Sequence, residues 1–254
     1  MKIGKLLAGI GVLFLAALPA FAQQKPGTIF AIEFQKPKNG MVKQYQEGRK
    51  AKADWHKQQN DSQPLLVWET ISGDSTGTYL VERINQHWAD MDQPSVPDAA
   101  DLEQYQKQIG NYVESLVTRY YEFLPKISNP EDMSSFPKFL EIVAFNVRPG
   151  HEADFRSAIA RIHEAGEKTK WPAHYAWYVL ANGGVDGEFV LAFAHSSWAD
   201  FEDKPDVKPY RDMIKDAYGQ AEADSIVKRL DSSIEKTTSS IIQFRPDLSY
   251  VPAK

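Results

Sequence analysis

The chain has 254 residues, 43% of them hydrophobic and 25% charged, with 15 Gly, 15 Pro and no Cys. Those proportions exclude disordered, collagen-like and disulfide-stapled classes, and the length suits one large domain or two of about 110 residues. A formal net charge of −5 argues against nucleic acid as a partner, because that recognition needs a basic face.

Residues 1–22 read as a signal peptide. Lys2 and Lys5 charge the start, and Leu6 to Leu18 form an apolar run shorter than the roughly 20 residues of a membrane span. Ala20-Phe21-Ala22 supplies the small-x-small pattern of a cleavage site, so processing is expected before Gln23. The mature chain would carry 27 basic and 34 acidic residues, a net charge of −7. No later stretch is long and apolar enough to span a bilayer, so the expected product is soluble and periplasmic or secreted. Without cysteine it has no use for an oxidising compartment and depends on packing.

The rest of the chain is written twice. Gly40 and Tyr45 match Gly150 and Phe155 at an offset of 110, and Gly73 and Gly77 match Gly183 and Gly187. Tyr79-Leu80-Val81 matches Phe189-Val190-Leu191, and Trp88-Ala89-Asp90 matches Trp198-Ala199-Asp200 at the same spacing. Phe123-x-Pro125-x-x-Ser128 returns as Phe244-x-Pro246-x-x-Ser249 at an offset of 121, so the second copy gains 11 residues before its last strand. Colinear agreement at several places marks an internal repeat. The copies span 28–127 and 138–248, and Pro125 to Pro137 reads as the linker.

In chain order, Thr28–Gln35 and Phe139–Val147 are β-branched or aromatic runs of strand length. After Gly40 and Gly150 the period lengthens to that of a helix: Phe155, Ile159 and Ile162 share a face, and Tyr45, Gly48 and Trp55 are read as the matching one. The five cations between Lys43 and Lys57 are read as the solvated side of that first helix. Leu65–Ile71 with Thr78–Ile84, and Tyr175–Ala181 with Glu188–Ala194, are hairpins joined by Gly-rich turns. Trp-Ala-Asp opens a second helical region carrying Tyr105, Ile109, Tyr112, Val113 and Leu116, or Tyr210, Ile214 and Tyr218. Val117–Leu124 and Ser239–Phe244 close the units. The order βαββαβ is the split arrangement of ferredoxin-like folds. The repeated tryptophans are read as packing residues.

In the second hairpin both strand faces are apolar, with Phe189, Leu191 and Phe193 on one and Val190, Ala192 and Ala194 on the other. A sheet buried on both sides calls for helices on one face and a second sheet on the other. The α+β chain therefore resembles the dimeric α+β barrel superfamily, as two tandem ferredoxin-like βαββαβ domains fused into one chain. That superfamily includes antibiotic-biosynthesis and haem-degrading monooxygenases, stress-responsive barrel proteins and chlorite dismutase-like haem proteins. The resemblance rests on topology and the repeat, and implies fold more than function.

Candidate sites differ between the copies. Glu33, Glu69, Glu82 and Arg83 sit on strands of the first, with apolar counterparts taken as Ala144, Val179, Ala192 and Phe193. Enclosed carboxylates need cations or hydrogen bonds, and Arg83 is the available partner. Glu33, Glu82 and Arg83, with His174, are the candidate ligand-binding set. The catalytic candidates are Asn146, Trp177 and His195, because the resemblance to cofactor-free monooxygenases implies pockets of Asn, Trp and His beside the sheet. Trp171 and Tyr178 suit a pocket or a core equally.

No cofactor is expected: His163 is a weak haem ligand candidate, and the Tyr-Pro-Met and Trp-Tyr signature of chlorite dismutase-like proteins is missing. No metal site is expected either, since His163 and Glu167 are spaced i, i+4 without a third ligand or an HExxH pattern. Walker, GxGxxG and GxSxG patterns are absent. Three functional readings stand: binding of an unidentified small molecule, cofactor-independent oxidation of an aromatic or haem-like substrate, and a structural barrel. A homo-oligomer is compatible with each.

Overall fold

A computed structural model describes residues 27–130, 136–202 and 207–252; the signal-peptide reading, and part of the linker, fall outside them. The first half contains β1 (Ile29–Pro37), α1 (Val42–Gln58), β2 (Leu66–Ser72), β3 (Tyr79–Gln86), α2 (Asp98–Gln108) and β4 (Val113–Phe123). The second contains β5 (Phe139–Val147), α3 (Glu152–Thr169), β6 (Ala176–Asn182), β7 (Glu188–His195), α4 (Tyr210–Tyr218), α5 (Gln220–Ser233) and β8 (Ile234–Phe244). All eight strands form one closed antiparallel barrel in the order β1-β3-β2-β8-β5-β7-β6-β4.

Closure explains why strands in both halves are apolar on two faces. Phe30, Ile32 and Phe34 alternate with Ala31 and Glu33 on β1; the first set faces the barrel axis and the second faces the helices. The seams are β2–β8, where Trp68 opposes Phe244, and β4–β6, where Phe123 opposes Tyr178. The first glycine of each repeated hairpin belongs to these seams. Gly73 and Gly183 hold φ of +93°, and a Cβ would lie 2.7 Å from Ser239 O in one case and 2.4 Å from Thr118 O in the other. Each turn thus presses on the last strand of the opposite half.

Three apolar clusters support the barrel. The first-half core of Tyr45, Val67, Tyr79, Val81 and Ile109 is completed by Leu248 and Tyr250, which follow β8. The second-half core of Phe155, Ile159, Trp177 and Phe189 receives Leu124 and Ile127, which follow β4. A third, around Met213, Ile214 and Ile226, joins α3, α4 and α5.

Several sequence expectations change here. Val113 and Leu116 are strand rather than helix, because Gly110 ends the helical run and a 3-10 turn at Gly110–Tyr112 leads into β4. β8 starts five residues before the expected Ser239: Ile234 packs on the second-half core and the segment pairs with β5, but exposed Glu235, Lys236 and Thr237 give it no apolar run. The longer second copy has two helices where the first has α2, separated at Gly219 with φ of +82°. Trp-Ala-Asp opens a 3-10 turn in each half: Asp90 accepts from His87 N at 2.7 Å, and Asp200 from Ser197 N at 3.0 Å. Trp88 and Trp198 lay one ring face on Tyr120 and Phe139 and stay 50% and 55% exposed.

Candidate functional site

The buried face of α1 is polar. Tyr45, Arg49, Lys52 and His56 recur at helical spacing and turn toward the sheet, while Lys43, Lys50 and Lys57 stay in solvent. Five cations on one helix therefore do not share a solvated face: Arg49 is 1% exposed and Lys52 3%. At an offset of 110 these positions hold Phe155, Ile159, Ile162 and Gly166, the ordinary apolar face of α3. The first half has exchanged an apolar contact surface for a charged one.

Between this face, α2 and the sheet lies a cleft of about 560 Å³. Its sheet wall carries Ala31 and Glu33 of β1, Val81 and Arg83 of β3, and Thr118 and Tyr120 of β4. Tyr105, Asp101 and Leu102 of α2 close one side, and the segment from Met91 to Val96 borders another. The equivalent positions of the second half are apolar: Val143, Ile159, Ile162 and Phe193 stand where Glu33, Arg49, Lys52 and Arg83 do.

A charge network organises the inner wall. His56 is fully buried, with Nδ1 2.9 Å from Asp61 Oδ2 and Nε2 3.1 Å from Asp101 Oδ1. Asp61 also meets Arg83 Nη1 at 3.3 Å, accepts from Gln63 N at 2.9 Å, and accepts from the Ser95 hydroxyl. Burial opposes its charge, but the bonds from His56, Ser95 and Gln63 and the charge of Arg83 prevail and hold its pKa far below the usual carboxylate range. Asp101 is depressed in the same way, burial being outweighed by His56 and by Lys52, whose Nζ lies 2.7 Å away. Burial lowers the Lys52 pKa against the support of Asp101. Glu33 accepts from Gln35 Nε2 at 2.6 Å, and Gln35 accepts from Tyr45 Oη at 3.0 Å.

Arg49 stands apart from this network. Its Nε and Nη2 have no hydrogen-bond partner, and among the described residues no carboxylate lies within ion-pair distance of it. A desolvated guanidinium without a counter-charge costs several kcal/mol.

The remaining candidates are dispersed. Glu82 shares a strand with Arg83 but points the other way, into a barrel cavity of about 240 Å³. It accepts from Trp68 Nε1 at 3.1 Å, and burial, partly countered by that bond, raises its pKa to about 7. Arg83 is therefore the partner of Asp61, not of a strand carboxylate, and Glu69 pairs with Arg245. The register also corrects a counterpart: Glu33 opposes Val81 as Val143 opposes Leu191, so Val143, not Ala144, is its equivalent. His174 is exposed in the segment before β6 and lines neither cavity.

Asn146, Trp177 and His195 share no pocket. Asn146 opposes Glu188 and faces the barrel cavity, whereas His195 opposes Phe139 at the far end of the same ladder, about 23 Å away. Trp177 is packed in the second-half core, and His195 stacks on Phe201 with ring centroids 3.9 Å apart. His163 donates to or accepts from Tyr175 Oη at 3.0 Å. Among the described residues no group of three or more His, Asp or Glu is placed to hold a metal, and no helix is long and apolar enough to cross a membrane. The signal that marked the cleft was in the sequence: Arg49, Lys52 and His56 fall at the positions of Ile159, Ile162 and Gly166.

No protein-family model matches the sequence, and no curated relative does. Solved structures share the fold. A proposed monooxygenase of Lactobacillus acidophilus superposes with a TM-score of 0.52 at 7% identity, over 91% of this chain and 98% of its own. One of Fusobacterium nucleatum gives 0.51 at 13% identity, over 85% and 91%. A chlorite dismutase of Candidatus Nitrospira defluvii gives 0.48 at 11% identity, over 87% and 92%. The chain thus has the fold of dimeric α+β barrel proteins, with α+β content arranged around one closed eight-stranded barrel.

Proposed function

We propose that the protein is an exported, small-molecule-binding member of the tandem ferredoxin-like type, with two fused repeats at 28–127 and 138–248 of which the first carries the ligand. The observation that supports this is the asymmetry of the two sheet–helix interfaces: the first opens into a cleft of about 560 Å³ lined by Glu33, Arg49, Lys52 and Arg83, and the second holds Val143, Ile159, Ile162 and Phe193 at the equivalent positions. That volume is typical of sites that enclose a small ligand. Drift alone would more readily leave a collapsed core than a charged wall whose members are held by one another. An oxidising enzyme built on Asn146, Trp177 and His195 has no common cavity to work in.

Native mass spectrometry of the protein purified from its own host tests the proposal. A stoichiometric extra mass is expected, absent from an Ala31→Trp variant whose indole fills the cleft. The same bound mass on that variant would place the ligand elsewhere. Recovery of the protein from the cytoplasmic fraction with residues 1–22 intact would remove the export reading, and the same spectrum weighs any homo-oligomer.

A further inference from the structure

We infer that the cleft takes a small organic monocarboxylate with an apolar body, its carboxylate received by Arg49; this rests on the binding reading above and specifies its ligand. Lys52 is matched by Asp101, and Arg83 by Asp61, whose second oxygen is held by Gln63 and Ser95. Asp90 caps its own turn, and Glu33 is engaged by Gln35 outside ion-pair distance of Arg49. Arg49 is the buried cation that no carboxylate contacts, on a side chain that lines the cleft and has two nitrogens without partners.

Leaving a guanidinium in that state is unfavourable, so a ligand that brings one negative charge gains what the protein lacks. The planar fork of Arg suits the two oxygens of a carboxylate. A single unpaired guanidinium favours a monoanion: a phosphate dianion would add a second negative charge to a cleft that already holds Glu33, Asp90 and Asp98. The outer wall sets the rest of the ligand. Leu102 and Leu116 are exposed large apolar side chains at the cleft, and Met91 and the ring of Tyr120 continue that surface. In the second half Ile159 takes the place of Arg49.

Isothermal titration calorimetry at neutral pH tests this with benzoate, phenylacetate and octanoate, each against its alcohol: benzyl alcohol, 2-phenylethanol and octanol. At least one carboxylate is expected to bind one-to-one and at least roughly 30-fold more tightly than its alcohol. Arg49→Gln should abolish that preference. Glu33→Gln, which keeps Arg49 and removes a neighbouring negative charge, should raise the carboxylate-over-alcohol preference several-fold; if the Arg49 variant does not fold, this variant and the wild-type comparison decide. Alcohols binding as tightly as carboxylates, with Ala31→Trp blocking them, would overturn the carboxylate anchor and spare the cleft as a binding site. A carboxylate preference unaffected by either variant would overturn it as well. Failure of all six probes to bind would overturn the inference, and failure of the host-purified protein to carry a cleft-bound mass would separately remove the reading beneath it.

Discussion

Ser249 Oγ accepts a 2.8 Å hydrogen bond from the backbone N–H of Val67, 182 residues earlier in the chain. Ser128 does the same for Trp177 N at 2.8 Å, and each hydroxyl donates back to its own segment, to Arg245 O and Leu124 O, both at 2.8 Å. The repeated Phe-x-Pro-x-x-Ser pattern is therefore a reciprocal strap: the segment after the last strand of each half ties down the second strand of the other. Ser249→Ala leaves the N–H of fully buried Val67 without a partner, a loss of about 1–3 kcal/mol. For a chain of this size the melting temperature should fall by about 2–4 °C per kcal/mol, with amide exchange accelerated first at Val67. Unchanged exchange at Val67 would show that the strap does not hold the strand.

Asp61 and Asp101 set the acid limb of stability. Both pKa values are depressed in the folded protein, by partners that outweigh burial. Their contribution is complete above the unfolded carboxylate value near 4 and is lost as pH falls below it, because the unfolded chain then binds protons that the folded one refuses. Denaturant titrations from pH 6 to pH 2.5 should show stability falling steeply below pH 4. Asp61→Asn should lower stability at neutral pH by about 3–5 kcal/mol, since it leaves Arg83 without its counter-charge and weakens the bond to His56, and should flatten that limb.

Glu82 acts in the opposite sense. Its pKa rises to about 7 through burial in the barrel, so the folded state holds its proton more tightly than the unfolded one. Stability from this group is greatest below the unfolded value near 4.5 and declines as pH rises to about 7, then levels. Glu82→Gln should stabilise the protein at pH 8 by on the order of 1–3 kcal/mol and be close to neutral at pH 4.5. Equal effects at the two pH values would contradict a barrel-buried carboxyl.

Arg49→Ile should raise stability while removing carboxylate binding. It deletes a buried charge without a partner and installs the residue that the second half holds at the equivalent position, Ile159. Replacing buried charges by packed apolar groups commonly gains about 1–4 kcal/mol. Chemical denaturation of the unliganded variant measures it, and a loss of stability would mean that an interaction of the guanidinium holds α1 in place.

Gly48 is the point where α1 meets the end of α2. A Cβ there would stand 2.1 Å from Gln108 O, so Gly48→Ala must push the two helices apart at the cleft wall. A loss of about 1–3 kcal/mol is expected from overpacking, with weaker ligand binding at unchanged stoichiometry.

Strands and hairpins were readable because their signals are local: β-branched runs, Gly-rich turns and the alternation at Phe189–Ala194 depend on neighbours in sequence. The cleft was hidden for the converse reason. Burial of a polar helix face is decided by what the helix packs on, and a row of Arg49, Lys52 and His56 looks solvent-facing unless it is compared with Ile159, Ile162 and Gly166. Glu33 and Arg83 were recognisable as polar residues out of keeping with their strands, and both line the cleft. Asp61 was invisible, since it sits after α1 and gains its role only when Ser95, Arg83 and Tyr250 converge on it. Period-2 parity separates Glu82 from Arg83, yet only barrel closure shows that the far side of the sheet is enclosed.

Tyr250 gives the order in which this molecule can be finished. Its hydroxyl donates to Asp61 O at 2.6 Å, and with Leu248 it fills the first-half core beneath the cleft. Synthesis runs from the N-terminus, so every residue of the cleft leaves the ribosome long before the segment that seats Asp61 against them. A nascent chain that has emerged through β4 holds the cations and carboxylates of the site but not the floor that aligns them. The half that carries the cleft is the first to be made and the last to be completed.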